Sequence, residues 1–444
     1  MNAHNINSHD DWNSPVELAD ISRLTRASWE QNIWQQDAPV AVFHDLARMS
    51  WRIAHLRERF PANTLHAIAI KANPLIPILS AAVKAGAGLE AASIEEVWLA
   101  IEAGCPPHKI IYDSPAKSRS DINEALKFGI WINADNEQEL MRIDESLGSH
   151  PNYTGKVGLR INPLVGEGSI SITSVGSRNS RFGLSIEDGD RIVGLYRRYS
   201  WLTGLHVHVG SQGSPLAHLV TAVERAFDLR NEINQTLAVD RVDFVDIGGG
   251  LPARYLTAET PPTPTDYVRA LQIHVPLCFE FTGSLVSEFG RSVQASCGWV
   301  VSRVEYTKQF ADKRIAVIHV GADLFMRSAY QPESWPLRFS VLDSQGHPKT
   351  GANQSIQIVG PLCFAGDVLS KVIDLPEIIE GDFLVIHDAG AYTLSMWSHH
   401  CNRALPQVIG VYDHNAYHME ILRKKQSREE ISAMWAAPKS IEVL

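Results

Sequence analysis

A chain of 444 residues is too long for one ordinary core and implies two domains, or one large barrel with a second unit. Its 45% hydrophobic and 20% charged content is that of a globular protein. A formal charge of −10 leaves no basic excess, which argues against a nucleic-acid or anionic-membrane partner. No stretch is apolar for long enough to span a bilayer, and Met1 to Trp12 lacks the basic and apolar blocks of a secretory signal. Cys105, Cys278, Cys297, Cys363 and Cys401 are odd in number and scattered, so neither a disulfide framework nor a metal site is expected. Reduced thiols in a cytoplasmic protein are the simplest expectation.

In chain order, residues 1–39 read as an arm with one short helix that joins a later β domain. Val40–Phe43 reads as a strand and 46–60 as a helix. A regular alternation then takes over. Buried strands are predicted at 67–70, 89–92, 110–112, 130–132, 157–161, 205–209 and 244–247, with an eighth at 279–281 or 285–286. Amphipathic helices fall between them at 94–103, 119–127, 137–147, 186–199 and 216–237. About eight β-then-α units define an α/β fold with a closed (β/α)8 TIM-like barrel over 40–295; a doubly wound open sheet usually has fewer strands. After Cys297 strands follow one another without helices, at 300–306, 315–320, 355–359, 383–387 and 408–411, so 296–444 reads as an all-β sandwich or barrel.

Barrels of this class do chemistry where strands end. The polar residues at those ends are Lys71, Glu90, Arg160, His208 with Ser211, Asp246 ahead of Gly248, Gly249 and Gly250, and Glu288 ahead of Gly290 and Arg291. Lys71, after the apolar run Ala67–Ile70, is either a snorkelling surface amine or one held to react with a carbonyl. The glycine triplet is either a plain turn or an approach for an anion to backbone N–H groups. It follows the seventh predicted strand, and Gly290-Arg291 follows the eighth, where such barrels seat a phosphate. Arg291 can grip a phosphate bidentately. A phosphate cup, a strand-end lysine and an imidazole together suggest pyridoxal phosphate, held by Lys71 as a Schiff base, with His208 on the ring face and Glu288 at the pyridine nitrogen. His206 shares a strand face with His208 and reads equally as a packed or a functional side chain.

These residues stand in motifs that resemble the fold-type III pyridoxal-phosphate decarboxylases, the group that includes diaminopimelate, ornithine and arginine decarboxylases and shares its barrel with alanine racemase. The motifs are Ile70-Lys71-Ala72-Asn73, Leu89-Glu90-Ala91-Ala92-Ser93 with Glu96, Leu159-Arg160-Ile161-Asn162-Pro163, Arg181-Phe182-Gly183 and Gly204 to Gln212. They continue with Asp246 to Gly250, Glu288-Phe289-Gly290-Arg291, Gly360-Pro361-Leu362-Cys363 and Asp388-Ala389-Gly390-Ala391-Tyr392. The resemblance implies that Lys71 carries the cofactor and His208 stacks on it. It implies that Ser211, Gly248, Gly249, Gly250, Gly290 and Arg291 hold its phosphate, that Glu288 meets its ring nitrogen, and that Glu90, Arg160 and Tyr392 line it. It further implies a homodimer with shared sites, in which Cys363 from the partner subunit returns a proton after CO2 leaves.

The substrate side departs from that pattern. Where relatives place an Asp or Glu after the cysteine to hold a distal ammonium, this chain has Phe364, and an apolar ring cannot neutralise that charge. The diaminopimelate enzymes pair an arginine with a tyrosine four residues on; here Arg327 is followed by Tyr330, one residue early. Glu90 replaces the usual Asp, and Phe289 replaces a proline. The expected substrate is therefore an amino acid with an acidic or acylated far end, such as a citrate-conjugated diamino acid of siderophore or other secondary metabolism. Arg291, Arg327, Tyr330, Phe364 and Tyr392 are expected around it. Ordinary diaminopimelate, lysine or ornithine decarboxylation, a racemase, and a non-catalytic regulator are the alternatives.

Overall fold

The computed structural model describes residues 11–436, so the first ten residues of the expected N-terminal arm lie outside the described residues. The chain divides into two compact units, one of 11–14, 48–296 and 390–395, the other of 15–47, 297–389 and 396–436.

In the first unit eight parallel strands close into a barrel: Thr64–Ala69, Gly88–Ala91, Ile110–Asp113, Trp131–Ala134, Val157–Asn162, Leu202–Val207, Phe244–Asp246 and Ser284–Ser287. Closure is made by the pairing of Ser284–Ser287 with Thr64–Ala69 and of Trp131–Ala134 with Val157–Asn162. Seven of the strands lead into helices of nine residues or more, among them Ile76–Lys84, Ile94–Glu102 and Pro264–His274. Local chemistry sets where these helices begin. Ser118 and Thr263 each accept the N–H three residues on, and the Asp at that position reaches back to complete a capping box. The eighth strand is Ser284–Ser287; the apolar run at 279–281 falls instead in and after a short helix, Leu277–Glu280, which Pro276 opens. Ala67, Ile111, Trp131, Phe244 and Val286 pack as one apolar cluster inside the barrel, whereas the side chains near the strand ends are polar.

The second unit is a nine-stranded sheet system. Gly298–Phe310 lies at its centre, pairing with Val40–Asp45, Lys313–Ile318 and Phe383–Ile386. A boundary at residue 40 would give Val40–Asp45 to the barrel, but this strand pairs with Gly298–Phe310 and Gln407–Asp413. The reason is aromatic. Phe43 stands opposite Trp299 and stacks on it at 5.3 Å, inside a core that also holds Trp34 and Phe383. Helix Leu18–Glu30 supplies Ile21 and Leu24 to the same core.

Candidate active site

Lys71 lies in a single 3-10 turn, Ile70–Ala72, between the first barrel strand and the helix that follows. Its Nζ is 2.7 Å from both carboxylate oxygens of Glu90, the penultimate residue of the second barrel strand, which is fully buried. Burial works against the Lys71 ammonium, but the Glu90 and Glu288 carboxylates outweigh it and hold the amine protonated beyond its ordinary range. Burial likewise pushes the Glu90 carboxyl up, to about 8, with Lys71 acting against that rise. The turn is fixed from the chain's far end: the Tyr392 N–H donates to the Ala72 carbonyl at 2.7 Å, and Asn73 Nδ2 donates to the Gly390 carbonyl at 3.1 Å.

Behind the lysine lies a buried chain of alternating charge. Arg160 Nη1 is 2.8 Å from Asp113 Oδ2; His206 Nδ1 is 3.5 Å from Asp113 Oδ1; His206 Nε2 is 3.6 Å from Glu288 Oε2. Burial disfavours the His206 imidazolium, yet Asp113, Glu288 and Asp246 raise its pKa to about 9. Burial also opposes the Glu288 anion, and His206 and Lys71 still hold its carboxyl well below the usual range. His206 is therefore not merely packed: its charge sits between two carboxylates. His208 differs. Burial lowers its pKa, and its Nδ1 accepts the Gly249 N–H at 3.0 Å, so the ring is neutral.

The loop after the seventh strand turns on Gly248, whose φ of +65° and whose 2.4 Å clearance between a built Cβ and the Val207 carbonyl oxygen exclude any side chain. Gly248 N–H donates to Asp246 Oδ1 at 2.9 Å, so two of the three glycine amides are engaged inside the protein. Gly290 ends the eighth strand region, and Arg291 begins a short helix, Arg291–Gln294. Arg291 Nε donates to Ser211 Oγ at 3.1 Å and Nη1 to Tyr255 Oη at 2.8 Å, while its guanidinium lies 4.2 Å from the Tyr392 ring centre.

Lys71, Glu90, Arg160, His208, Ser211, Gly248, Gly249, Gly250, Glu288, Gly290, Arg291 and Tyr392 thus all belong to the barrel unit. Cys363, Phe364, Arg327 and Tyr330 belong to the sheet unit. There Cys363 is exposed, Phe364 stacks on Tyr330 at 5.7 Å and meets His400 edge-on at 6.1 Å, and the Arg327 guanidinium lies 4.6 Å from the Trp335 ring. The sequence reading missed Asp113, Asn133 and Tyr255. The first two lie on the third and fourth barrel strands, and the rule of listing polar residues at strand ends would have found Asp113, the last residue of its strand.

Both Glu288 oxygens are buried without a hydrogen-bond partner. A buried, ionised and unbonded carboxylate fits the N–H of a protonated pyridine ring. Lys71 fits an aldehyde, and Arg291 with Ser211 fits a phosphate. These residues on a closed barrel define an enzyme of the pyridoxal-phosphate class.

Comparison with known proteins gives the same answer. The family described as "Pyridoxal-dependent decarboxylase, pyridoxal binding domain" matches residues 46–295. The diaminopimelate decarboxylase of Vibrio cholerae is 30% identical over 379 residues, covering 83% of this chain and 84% of that one. That of Pseudomonas aeruginosa is 31% identical over 347 residues, covering 76% and 78%. Among solved structures, diaminopimelate decarboxylase from M. jannaschii in co-complex with L-lysine superposes with a TM-score of 0.82 at 23% identity, over 93% of this chain and 94% of that one. The chain belongs to the fold-type III pyridoxal-phosphate decarboxylases: it is a pyridoxal 5'-phosphate-dependent carboxy-lyase of the diaminopimelate, ornithine and arginine decarboxylase type. No described helix is long and apolar enough to cross a membrane.

Proposed function

We propose that the enzyme removes the α-carboxylate, as CO2, from a diamino acid derivative whose distal end is acidic or acylated, in siderophore or other secondary metabolism. When bound, pyridoxal phosphate supplies an aldehyde that captures the substrate amine and a ring that takes up the electron pair of the broken Cα–carboxylate bond. Lys71 Nζ holds the aldehyde carbon between turnovers, and Glu90 takes and returns the proton of that amine as substrate displaces it. Ionised Glu288 keeps the proton on the ring nitrogen, and the His206–Asp113–Arg160 chain keeps Glu288 ionised. Neutral His208 packs on the ring face. Arg291 and Ser211 hold the phosphate beside the glycine loop, whose lack of side chains leaves it room, and Tyr392 flanks it. Arg160 acts on the cofactor only through Asp113, His206 and Glu288. In this reading the enzyme is a cytoplasmic homodimer, and Cys363 of a second copy delivers the proton to Cα.

The observation that carries the substrate reading is Phe364. Its ring is engaged with Tyr330 and His400 where a relative presents a carboxylate. Burying an unpaired ammonium against these rings would cost several kcal/mol, while an amide or ester linkage would cost little. Arg327 supplies the cation for a distal carboxylate. Diaminopimelate itself is the second reading, favoured by the likeness to the diaminopimelate decarboxylases at 30% and 31% identity. Mass spectrometry of cofactor-loaded enzyme with L- and D-lysine, ornithine, diaminopimelate, and citryl or acyl conjugates of diamino acids separates the two. Loss of CO2 from a conjugate alone supports the first. Efficient loss from free diaminopimelate or lysine sinks it. A Phe364→Glu variant that kept full activity on the conjugate would also count against the role of Phe364.

A further inference from the structure

The loop that carries Cys363 has little regular structure of its own. It leaves the strand Asn353–Val359 at Gly360 and enters the strand Val368–Pro376 at Val368. Most of its hydrogen bonds converge on one residue. Asp367 Oδ2 accepts the Leu362 N–H at 2.7 Å, and Asp367 Oδ1 accepts the Ala322 N–H at 2.6 Å. The Asp367 backbone closes the loop as well: its carbonyl accepts the Gly360 N–H at 3.0 Å, and its N–H donates to the Phe364 carbonyl at 3.0 Å. The carboxylate is buried, and burial pushes its pKa up while the two N–H donors pull it back.

Ala322 belongs to the second loop that matters on the substrate side. Asp323 folds that loop by accepting the N–H groups of Gly321 at 2.8 Å and Leu324 at 3.0 Å, and the Phe325 N–H donates to the Gly321 carbonyl at 2.8 Å. The short helix Met326–Tyr330 follows directly and carries Arg327 and Tyr330. Two glycines yield space to the Asp367 carboxylate. A Cβ on Gly321 would stand 2.0 Å from Oδ1, and one on Gly360 would stand 2.3 Å from Oδ2. One side chain therefore ties the loop of Cys363 and Phe364 to the loop that launches Arg327 and Tyr330.

We propose that Asp367 is a positioning residue for the decarboxylation. By bridging the Leu362 and Ala322 amides it fixes the Cys363 thiol, and with it Phe364, in register with the helix bearing Arg327 and Tyr330. It touches neither substrate nor cofactor. Its effect falls on where the returning proton lands. With Cys363 in place the proton reaches Cα and the product is an amine. With Cys363 displaced, the proton would no longer be delivered to Cα, and the decarboxylated product would leave as an aldehyde, its oxygen taken from water and its amine nitrogen retained by the cofactor. The inference rests on the reading of Cys363 as proton donor.

The test is the ratio of aldehyde to amine product, measured by mass spectrometry on the loaded enzyme with the substrate that the panel identifies. Asp367→Asn keeps the size of the side chain and loses one of the two acceptors. It is expected to lower kcat ~10- to 100-fold, to change KM less, and to raise the aldehyde fraction in the direction of Cys363→Ala. If Asp367→Asn fails to fold, judged by circular dichroism, Gly321→Ala, whose Cβ would press on the Asp367 carboxylate from the other loop, should shift the ratio in the same sense. An unchanged ratio in a folded Asp367 or Gly321 variant, alongside a raised ratio in Cys363→Ala, overturns the role of Asp367 and leaves that of Cys363 standing. An unchanged ratio in Cys363→Ala overturns the reading of Cys363 and the inference with it.

Discussion

Lys71 Nζ lies equidistant, at 2.7 Å, from the two oxygens of Glu90. In the proposed mechanism this buried carboxylate manages the proton of the amine. Lys71→Arg keeps the cation and the ion pair but cannot form the covalent link to an aldehyde. The variant is expected to fold, to bind pyridoxal phosphate only reversibly, and to lose at least ~100-fold in kcat. Borohydride reduction followed by peptide mass spectrometry should tag Lys71 in the wild type and nothing in the variant. A cofactor tag elsewhere in the wild type would refute the assignment.

Glu288 is the next discriminating position. Its charge is held by His206 and by Lys71, and both its oxygens lack hydrogen-bond partners. Glu288→Gln conserves shape and removes the anion. If the carboxylate keeps the ring nitrogen protonated, kcat should fall ~100- to 1000-fold with KM altered only a few-fold, because the ring takes up charge only as the Cα bond breaks. A rise in KM with kcat preserved would make Glu288 a binding group instead.

The barrel and most of its site were legible because a closed parallel sheet writes itself as short apolar runs, each ending where chemistry can sit. Lys71, Glu90 and Glu288 stand at such ends. Asp113 directly follows the predicted strand 110–112 and met the same rule, but its role depends on Arg160 and His206, which are distant in sequence. The sheet unit was less legible. Val368–Pro376 carries Lys371 and Asp374, is partly exposed, and ends on a proline, so its pattern is that of an edge rather than of a buried strand. Phe339–Leu342 and His418–Arg423 are short or exposed strands that become strands only through the partners they pair with, Phe383–Ile386 and Gln407–Asp413. The role of His206 could not be read from its strand face, since it depends on Asp113 and Glu288, which are distant in sequence.

Arg291 hydrogen-bonds Ser211 and Tyr255 with its planar fork and lies against Tyr392. Lysine would keep the charge and lose both the fork and the stacking. Arg291→Lys should therefore weaken cofactor affinity ~10- to 100-fold, the scale of a charge-assisted hydrogen bond, with the fold intact. Fluorescence titration of the cofactor-free protein with pyridoxal phosphate measures this directly. Unchanged affinity would move the phosphate away from Arg291.

The buried charges also set the pH dependence of stability. His206 has a pKa raised from 6.5 to about 9, because Asp113, Glu288 and Asp246 overcome its burial. Its stabilisation is complete below its unfolded value and is lost as pH rises through about 9. Glu90 and Asp246 are raised to about 8, first by burial, so each costs stability as pH climbs from the ordinary carboxylate range to about 8, which overlaps only the lower part of that climb. The depressed Glu288 and Asp113 carboxyls act only on the acid side. His66 and His387, pushed down to about 3 chiefly by burial, lose stability only as pH falls below 6.5. Cofactor-free protein should accordingly show its Tm falling between pH 6.5 and 9.5. His206 accounts for up to ~3 kcal/mol of that fall. In His206→Gln the titrating imidazole is gone, so the decline across this window should be shallower even though the variant starts less stable. A decline as steep as that of the wild type would mean that His206 carries no proton in the folded enzyme, and that Glu288 owes its charge to Lys71.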